Sequence, residues 1–182
     1  MRSRILLACL WLCATSGLAH AKVYWSQEEA LALAFPGAER VESRTVVLDD
    51  AQARRVEELA RTKLESRLVT LHTGWKAGQV LGHATIEVHT VRTLPEGLLV
   101  VVSPAGEVQS VRLLAFYEPE EYAPPERWLR QFEQRRLDPA LRLGGEIHGI
   151  AGATLSAQAV TGAVRRALAL FTVLIEDRGP ER

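Results

Sequence analysis

The sequence has no net charge, because its 22 lysines and arginines balance its 22 aspartates and glutamates. A general nucleic-acid binder neutralises phosphates with a basic excess, and that excess is missing here. We therefore expect no nucleic acid among the partners of this protein. With 182 residues, the chain is long enough for one domain with a sizeable core.

Cysteine is nearly absent: the two cysteines, Cys9 and Cys13, lie in an apolar run near the N-terminus. This run follows two arginines, is too short to span a bilayer, and leads to a small-x-small cleavage pattern at 19–21. Residues 1–21 are therefore predicted to be a cleaved signal peptide; an uncleaved anchor is the alternative. Cleavage removes both cysteines, which excludes structural disulfides, cysteine zinc sites, iron–sulfur clusters and CxxCH haem attachment.

Other signatures are also missing. Beyond the N-terminal run, no apolar stretch is judged long and pure enough to span a membrane. We therefore expect a soluble mature protein, in the periplasm or at the extracytoplasmic face of the membrane. No catalytic triad, paired catalytic carboxylates or nicotinamide-binding fingerprint is evident. The histidines form no tight ligand pair, so no metal site is predicted and they are expected to be exposed or hydrogen-bonded.

Hydrophobic periodicity predicts an α+β fold in which an antiparallel sheet packs with helices. The predicted helices cover 26–34, a segment after Asp49-Asp50, 126–136 and a long segment from 154; the strands cover 42–48, 67–73, 80–91, 98–102 and 108–116. The last helix has a continuous apolar face from Val160 to Phe171. Arg165 and Arg166 are expected in solvent on the other side; docking of an acidic partner is the alternative. The predicted divisions of the chain are 1–21, 22–65, 66–175 and a polar tail, 176–182.

The segment HGIAGATLS, residues 148–156, stands immediately before that helix. Its glycines allow tight turns, and Gly152-Ala153 places little bulk beside the helix start. The first N–H groups of a helix lack internal partners and carry partial positive charge, which favours phosphate binding. Thr154 and Ser156 add hydroxyls there. A plain helix cap and a phosphate site both remain open, whereas the Walker and Rossmann patterns do not fit.

The stretch Gly152-Ala153-Thr154-Leu155-Ser156 resembles the signature of the FMN-binding domain family, as do the steps Ala-Val-Thr and Val-Arg-Arg after it. This family includes the G subunit of Rnf complexes, the C subunit of sodium-pumping NADH:quinone reductases and NosR-type proteins. Upstream, the segment RWLRQF is similar to the Trp-Leu-x-x-Phe segment of the family, and LRLG is similar to the stretch before its signature. The resemblance is strongest from RWLRQF onward.

The resemblance implies that Thr154 carries FMN through a phosphodiester bond, which a separate flavin transferase makes from FAD. The other residues implied around the cofactor are Gly152, Ala153, Leu155, Ser156, Glu118 and Trp75. The segment 66–175 would then be the FMN-binding domain. The resemblance favours an electron-transfer flavoprotein over a stand-alone enzyme, with a membrane redox protein or cytochrome as its electron-transfer partner.

The sequence departs from the family signature at two positions. His148 stands where the family has Asp, six residues before Thr154, and Ala151 stands where it has Ser or Thr. The change from Asp to His reverses the local electrostatics and removes a possible carboxylate ligand for the metal of the transferase. Two alternatives therefore remain: reversible FMN binding, and a cofactor-free accessory module of a membrane complex.

Several residues have a structural interpretation beside the functional one. Trp75 could stack on a flavin or fill the core. Trp128 and Phe132, one helical turn apart, are expected to pack in the core. Glu118 and Tyr122 could lie near a flavin or in a solvated acidic loop.

Overall fold

A computed structural model describes residues 22–177 of the protein. The predicted signal peptide, both cysteines and most of the predicted polar tail lie outside the described residues.

Six antiparallel strands form one sheet in the order β1-β6-β5-β4-β3-β2. The strands are β1 Lys22–Val23, β2 Arg40–Val47, β3 Leu68–Lys76, β4 Gln79–Thr90, β5 Pro95–Val102 and β6 Val108–Phe116. Segment 22–65 supplies both edge strands, so it shares this sheet with the later residues. The expected α+β fold is confirmed.

The helices are α1 Gln27–Ala34, α2 Asp50–Ala60, α3 Glu126–Leu129 and α4 Thr154–Phe171, which continues as a π-helical turn, Thr172–Glu176. Capping boxes start α1 and α2, formed by Ser26 with Glu29 and by Asp49 with Gln52. Each box satisfies two backbone donors that the helix cannot pair internally.

The helix predicted for 126–136 is wrong in its second half. After α3 the chain makes one 3₁₀ turn, Arg130–Phe132, and then leaves the helical path. The reason is a competing interaction with the sheet. Gln134 N–H donates to the carbonyl of Val108, and Val108 N–H donates to the carbonyl of Arg135.

The main core lies between the sheet and α4. Apolar residues of β5 and β6 pack against α4, and Trp128, Phe132 and Ile147 close one end of this layer. Helix α2 packs against the far side of α4. On the opposite face of the sheet, α1 covers β4, β5 and β6. Helix α4 therefore lies between the sheet on one side and α2 on the other.

This enclosure makes the prediction for Arg165 and Arg166 wrong: they are only 6% and 4% exposed. The side chain of Arg165 reaches the C-terminus of α2 and the connection before α4. It donates to the carbonyls of Leu59, Ala60, Asp138 and Leu141. Arg166 instead turns toward the sheet, where its Nε donates to Glu87 Oε2 at 2.8 Å.

By length and composition alone, the helix Thr154–Glu176 could cross a membrane, with a mean hydropathy of 1.3. The expectation that no such run follows the N-terminus is therefore wrong. In the structure, 72% of its apolar window is buried inside the protein. This is the pattern of a helix that forms the centre of a core.

Candidate functional site

The segment before α4 is held in place by the RWLRQF segment. Trp128 Nε1 donates to the carbonyl of His148 at 2.7 Å, and His148 N–H donates to Gln131 Oε1 at 3.0 Å. Trp128 is buried and meets the ring of Phe132 edge-on, with centroids 5.4 Å apart. The expected core packing of these two aromatic residues is confirmed, and it also fixes where HGIAGATLS begins.

A tight turn leads from this anchor into the helix. Ala153 N–H donates to the carbonyl of Ile150 at 3.1 Å, and Gly152 adopts a φ of 80°. A Cβ on Gly152 would meet no atom within 4 Å. The backbone conformation, rather than a lack of space, therefore favours glycine here.

Helix α4 begins at Thr154, with Ala153 as its N-cap, and no side chain caps it. The plain-cap interpretation of the two hydroxyls therefore does not hold. The N–H groups of Thr154, Leu155 and Ser156 have no acceptor within the helix. Thr154 is exposed, whereas Ser156 is 1% exposed. A free hydroxyl and three N–H donors thus share one helix terminus.

A cavity of about 270 Å³ lies beside this helix start. Residues 152–156 line it together with Val91, Arg92, Glu118 and Tyr122. Because small-molecule pockets span roughly 300–1,000 Å³, a ligand of the size of a nucleotide would be only partly enclosed. The structure thus brings together all the predicted cofactor residues except Trp75.

Glu118 is not a solvated loop residue: it is 8% exposed. Its Oε1 accepts the N–H groups of Arg92, Thr93 and Leu94 at 3.2, 2.6 and 2.8 Å. These hydrogen bonds, that from Thr93 foremost, lower the pKa of Glu118 and keep it ionised. Glu118 therefore holds the turn between β4 and β5 in place beside the cavity.

Sequence reasoning missed Val91 and Arg92. They lie in the β4–β5 turn, far in sequence from Thr154, and enter the cavity because the antiparallel order places this turn beside the end of β6. The exposed guanidinium of Arg92 adds a positive charge to the cavity wall. The position of an arginine in a turn between two predicted strands was the available signal.

Trp75 lies away from the cavity, on β3 near the sheet edge. It is half-buried, and its Nε1 donates to Glu42 Oε2 at 3.0 Å. The guanidinium of Arg40 lies over the ring, 5.3 Å from its centroid. The side chain therefore neither lines the Thr154 cavity nor joins the hydrophobic core clusters.

The expectation that the histidines of the mature chain are exposed or hydrogen-bonded is confirmed. The hydrogen-bonded pairs are His72 with Ser43, His83 with Thr73 and His89 with Glu96. His148 is exposed. Burial lowers the pKa of His72 and of His83. Between residues 22 and 177, no group of three or more His, Cys, Asp or Glu side chains could hold a metal ion.

The two departures from the family signature lie on the surface of the approach to Thr154. His148 and Ala151 are both exposed, so neither exchange affects the packing of the core. The hydrogen bonds that anchor position 148 use its backbone, not its imidazole. The exchanges therefore change what a partner meets at this surface rather than how the loop is held.

Residues 95–169 match the family model of the FMN-binding domain. The matched range contains β5, β6, Glu118, the RWLRQF segment and most of α4, including its start. It ends two residues before the end of α4 and begins after Arg92. No curated protein matches the chain significantly. The family match indicates FMN as the cofactor.

Proposed function

We propose that this protein, which carries a domain of the FMN-binding domain family over residues 95–169, holds FMN covalently through Thr154 and relays electrons outside the cytoplasm. One observation carries the proposal. An exposed threonine hydroxyl, helix N–H groups without internal acceptors and a cavity meet at the start of α4.

The residues present fit a phosphate-bearing cofactor. The N–H groups of residues 154–156 would donate to phosphate oxygens, and the partial positive charge of the helix terminus would favour the anion. Arg92 would add a cation beside them. Glu118, which the turn N–H groups already neutralise in part, would keep Arg92 and Val91 in position. FMN, when bound, supplies the redox chemistry.

Thr154 Oγ1 would be the attachment atom. It would form a new P–O bond to the phosphate next to riboflavin in FAD, AMP would leave, and the hydroxyl proton would pass to the flavin transferase. Ser156, the other hydroxyl of the motif, is 1% exposed and so is poorly placed for a second enzyme to reach. Accessibility therefore favours Thr154 as the modified residue.

The proposed electron relay rests on the redox cofactor together with the missing signatures of other chemistry. The chain shows no nicotinamide-binding fingerprint, so a separate donor would supply the electrons and a separate acceptor would take them. We propose a membrane redox protein or a cytochrome for these roles. The predicted signal peptide supports a location in the periplasm or at the extracytoplasmic face of the membrane.

A second candidate function is reversible FMN binding without the covalent bond. The observation that favours it is the surface at His148 and Ala151, where the family has an Asp and a hydroxyl residue. A transferase that recognises those side chains would meet an exposed imidazole and a methyl group instead. The helix N–H groups and the cavity would still bind the phosphate.

The experiment is co-expression of the exported protein with a flavin transferase, followed by intact mass of the wild type, Thr154→Ala and Ser156→Ala. We expect the wild type and Ser156→Ala to gain the mass of FMN less one water, and Thr154→Ala to gain none. No gain in any chain, with FMN still bound under native conditions, would support reversible binding. If the intact mass shows no FMN and the protein also binds no FMN under native conditions, the proposed function is contradicted.

Electron relay has its own measurement. The loaded protein is reduced with dithionite, freed of excess reductant and mixed with oxidised cytochrome c, while the flavin and haem absorbances are followed. We expect the flavin to be reoxidised as the haem is reduced, with the same chain lacking FMN as the control. If the haem of cytochrome c stays oxidised in the presence of the reduced flavin, the proposed electron relay is contradicted.

A further inference from the structure

The face of β4 that packs against α4 is unexpectedly polar. Residues at spacing two on a strand share a face, and this face carries the β4 polar row, His83, Thr85, Glu87 and His89. On the neighbouring β5 the same face carries Leu98, Val100 and Val102, which belong to the main core. The β4 polar row therefore runs through an otherwise apolar layer.

Two of its members form buried pairs with acidic or basic partners. His89 Nε2 lies 3.0 Å from Oε1 of Glu96, directly across on β5, and their side chains are 2% and 0% exposed. Glu87 accepts from Arg166 Nε at 2.8 Å. Burial raises the pKa of Glu96 and that of Glu87, which makes both carboxyl groups reluctant to stay charged.

The row also holds unmet hydrogen-bonding capacity. Of the buried side-chain atoms without a hydrogen-bond partner among residues 22–177, three belong to the row or to Glu96, the partner of His89: Thr85 Oγ1, His89 Nδ1 and Glu96 Oε2. Native proteins leave few buried polar atoms unpaired, and such atoms call for a proton, a water or a functional role.

Two openings of the protein lie near the row. Beside its middle members, pairing between β3 and β4 stops at Leu71 and Thr85, although β4 continues to Thr90. A cleft of about 230 Å³ opens there, and Thr85, Glu87 and Arg166 line it. Beyond His89, the chain leads into Val91 and Arg92, which line the Thr154 cavity.

We propose that the His89–Glu96 pair is a proton-binding site that takes up one proton from solvent when the cofactor in the Thr154 cavity is reduced. This inference rests on the proposed function. His89 is two residues from Val91, about 7 Å along the strand. Charge added in the cavity is therefore felt by the pair through a protein interior that screens it weakly.

The step balances without any further redox partner. An external one-electron donor supplies each electron, and no electron passes through His89 or Glu96. The proton comes from solvent at the β3–β4 cleft and forms one N–H bond at Nδ1 of the His89 imidazole. In a neutral imidazole that donates to Glu96 through Nε2, the unpaired Nδ1 is an acceptor and has room for that proton.

Other charged groups near the pair contribute to the electrostatic potential at His89 and Glu96. Glu87 on β4 couples to His89, and Arg166 on α4 compensates Glu87. Glu65, before β3, also acts on Glu87. Arg92 lies in the turn beyond, and Glu118, after β6, is held by the N–H groups of that turn. None of these groups forms a hydrogen bond with His89 or Glu96 among the described residues.

The test is nitrogen-15 NMR of the histidine rings in the full mature chain, titrated over about pH 5–9, around the ordinary histidine pKa. Spectra are recorded with FMN bound and oxidised, with FMN bound and dithionite-reduced, and without FMN. A unit charge about 10 Å away shifts a pKa by about one unit at an effective dielectric constant of about 20. We expect the midpoint of His89 to rise by about that much on reduction, a tenfold gain in proton affinity.

His72, which is buried and paired with Ser43 on the opposite face of the sheet, is the internal control and should not shift. Glu96→Gln removes the acidic partner of His89, so the His89 ring signals should change in all three cofactor states. A His89 midpoint equal in the oxidised and reduced proteins would overturn the proposal. If the chain binds no FMN, the proposed function fails separately; in the cofactor-free spectra, a His89 signal that Glu96→Gln leaves unmoved would overturn the proton site.

Discussion

Replacing Arg165 by Met tests how the site-bearing helix is fixed in the fold. Two of the four hydrogen bonds of Arg165, to the carbonyls of Ala60 and Leu141, are buried, and two are partly buried. A hydrogen bond to a charged group contributes about 1.5–3 kcal/mol, and water can replace much of the partly buried pair. The two buried bonds alone predict a loss of about 3–5 kcal/mol in the free energy of unfolding.

Urea unfolding followed by circular dichroism measures this loss. With a slope of about 2 kcal/mol/M for a domain of this size, the midpoint should fall by about 1.5–2.5 M. Arg55→Met, at an exposed position on α2, is the matched control and should change stability by less than about 0.5 kcal/mol. A midpoint shift below about 0.5 M for Arg165→Met would refute the view that this side chain ties α2 to α4.

Further predictions concern residues of the site. Gly152→Ala should lower stability by about 1–2 kcal/mol, because its φ of 80° disfavours a Cβ; Gly149→Ala, whose added Cβ is also free of contacts, should cost less, and equal losses in urea would contradict this. Trp128→Phe should cost about 1 kcal/mol and weaken FMN binding, because the carbonyl of His148 loses its donor; unchanged affinity in fluorescence titration would contradict the second effect. Glu118→Gln should destabilise the protein at neutral pH and much less in acid. The pKa of Glu118 lies below its ordinary 4.5 in the folded protein, so its contribution is present above that value and is lost as pH falls through the folded pKa. A stability difference between wild type and Glu118→Gln that does not change with pH would be inconsistent with this.

Local signals explain most of what could be predicted from the sequence. The starts of α1 and α2, where the structure has capping boxes, the strands β5 and β6, and the start of α4 depend on neighbours within a few residues. The helix after Pro125 was predicted too long because its end is decided elsewhere. The carbonyl and N–H of Val108 on β6 draw residues 134 and 135 out of the helix.

Long-range packing explains the larger misses. A helical wheel places Arg165 and Arg166 opposite the apolar face, but it cannot show that α2 and the sheet enclose α4 from two sides. The presence of Arg92 in the cavity depends on the strand order and on Glu118, which is 26 residues from Arg92 in the chain. Trp75 was predicted at the site from the family resemblance alone, and the register of β3 places it elsewhere.

The most direct test of covalent attachment is tandem mass spectrometry of the exported protein after co-expression with a flavin transferase and tryptic digestion. The peptide that spans residues 143–165 contains every hydroxyl of HGIAGATLS and its helix. The account predicts an FMN adduct whose fragment ions place it on Thr154. An adduct on Ser156 or Thr161, or an unmodified peptide from protein that binds FMN, would contradict attachment through Thr154.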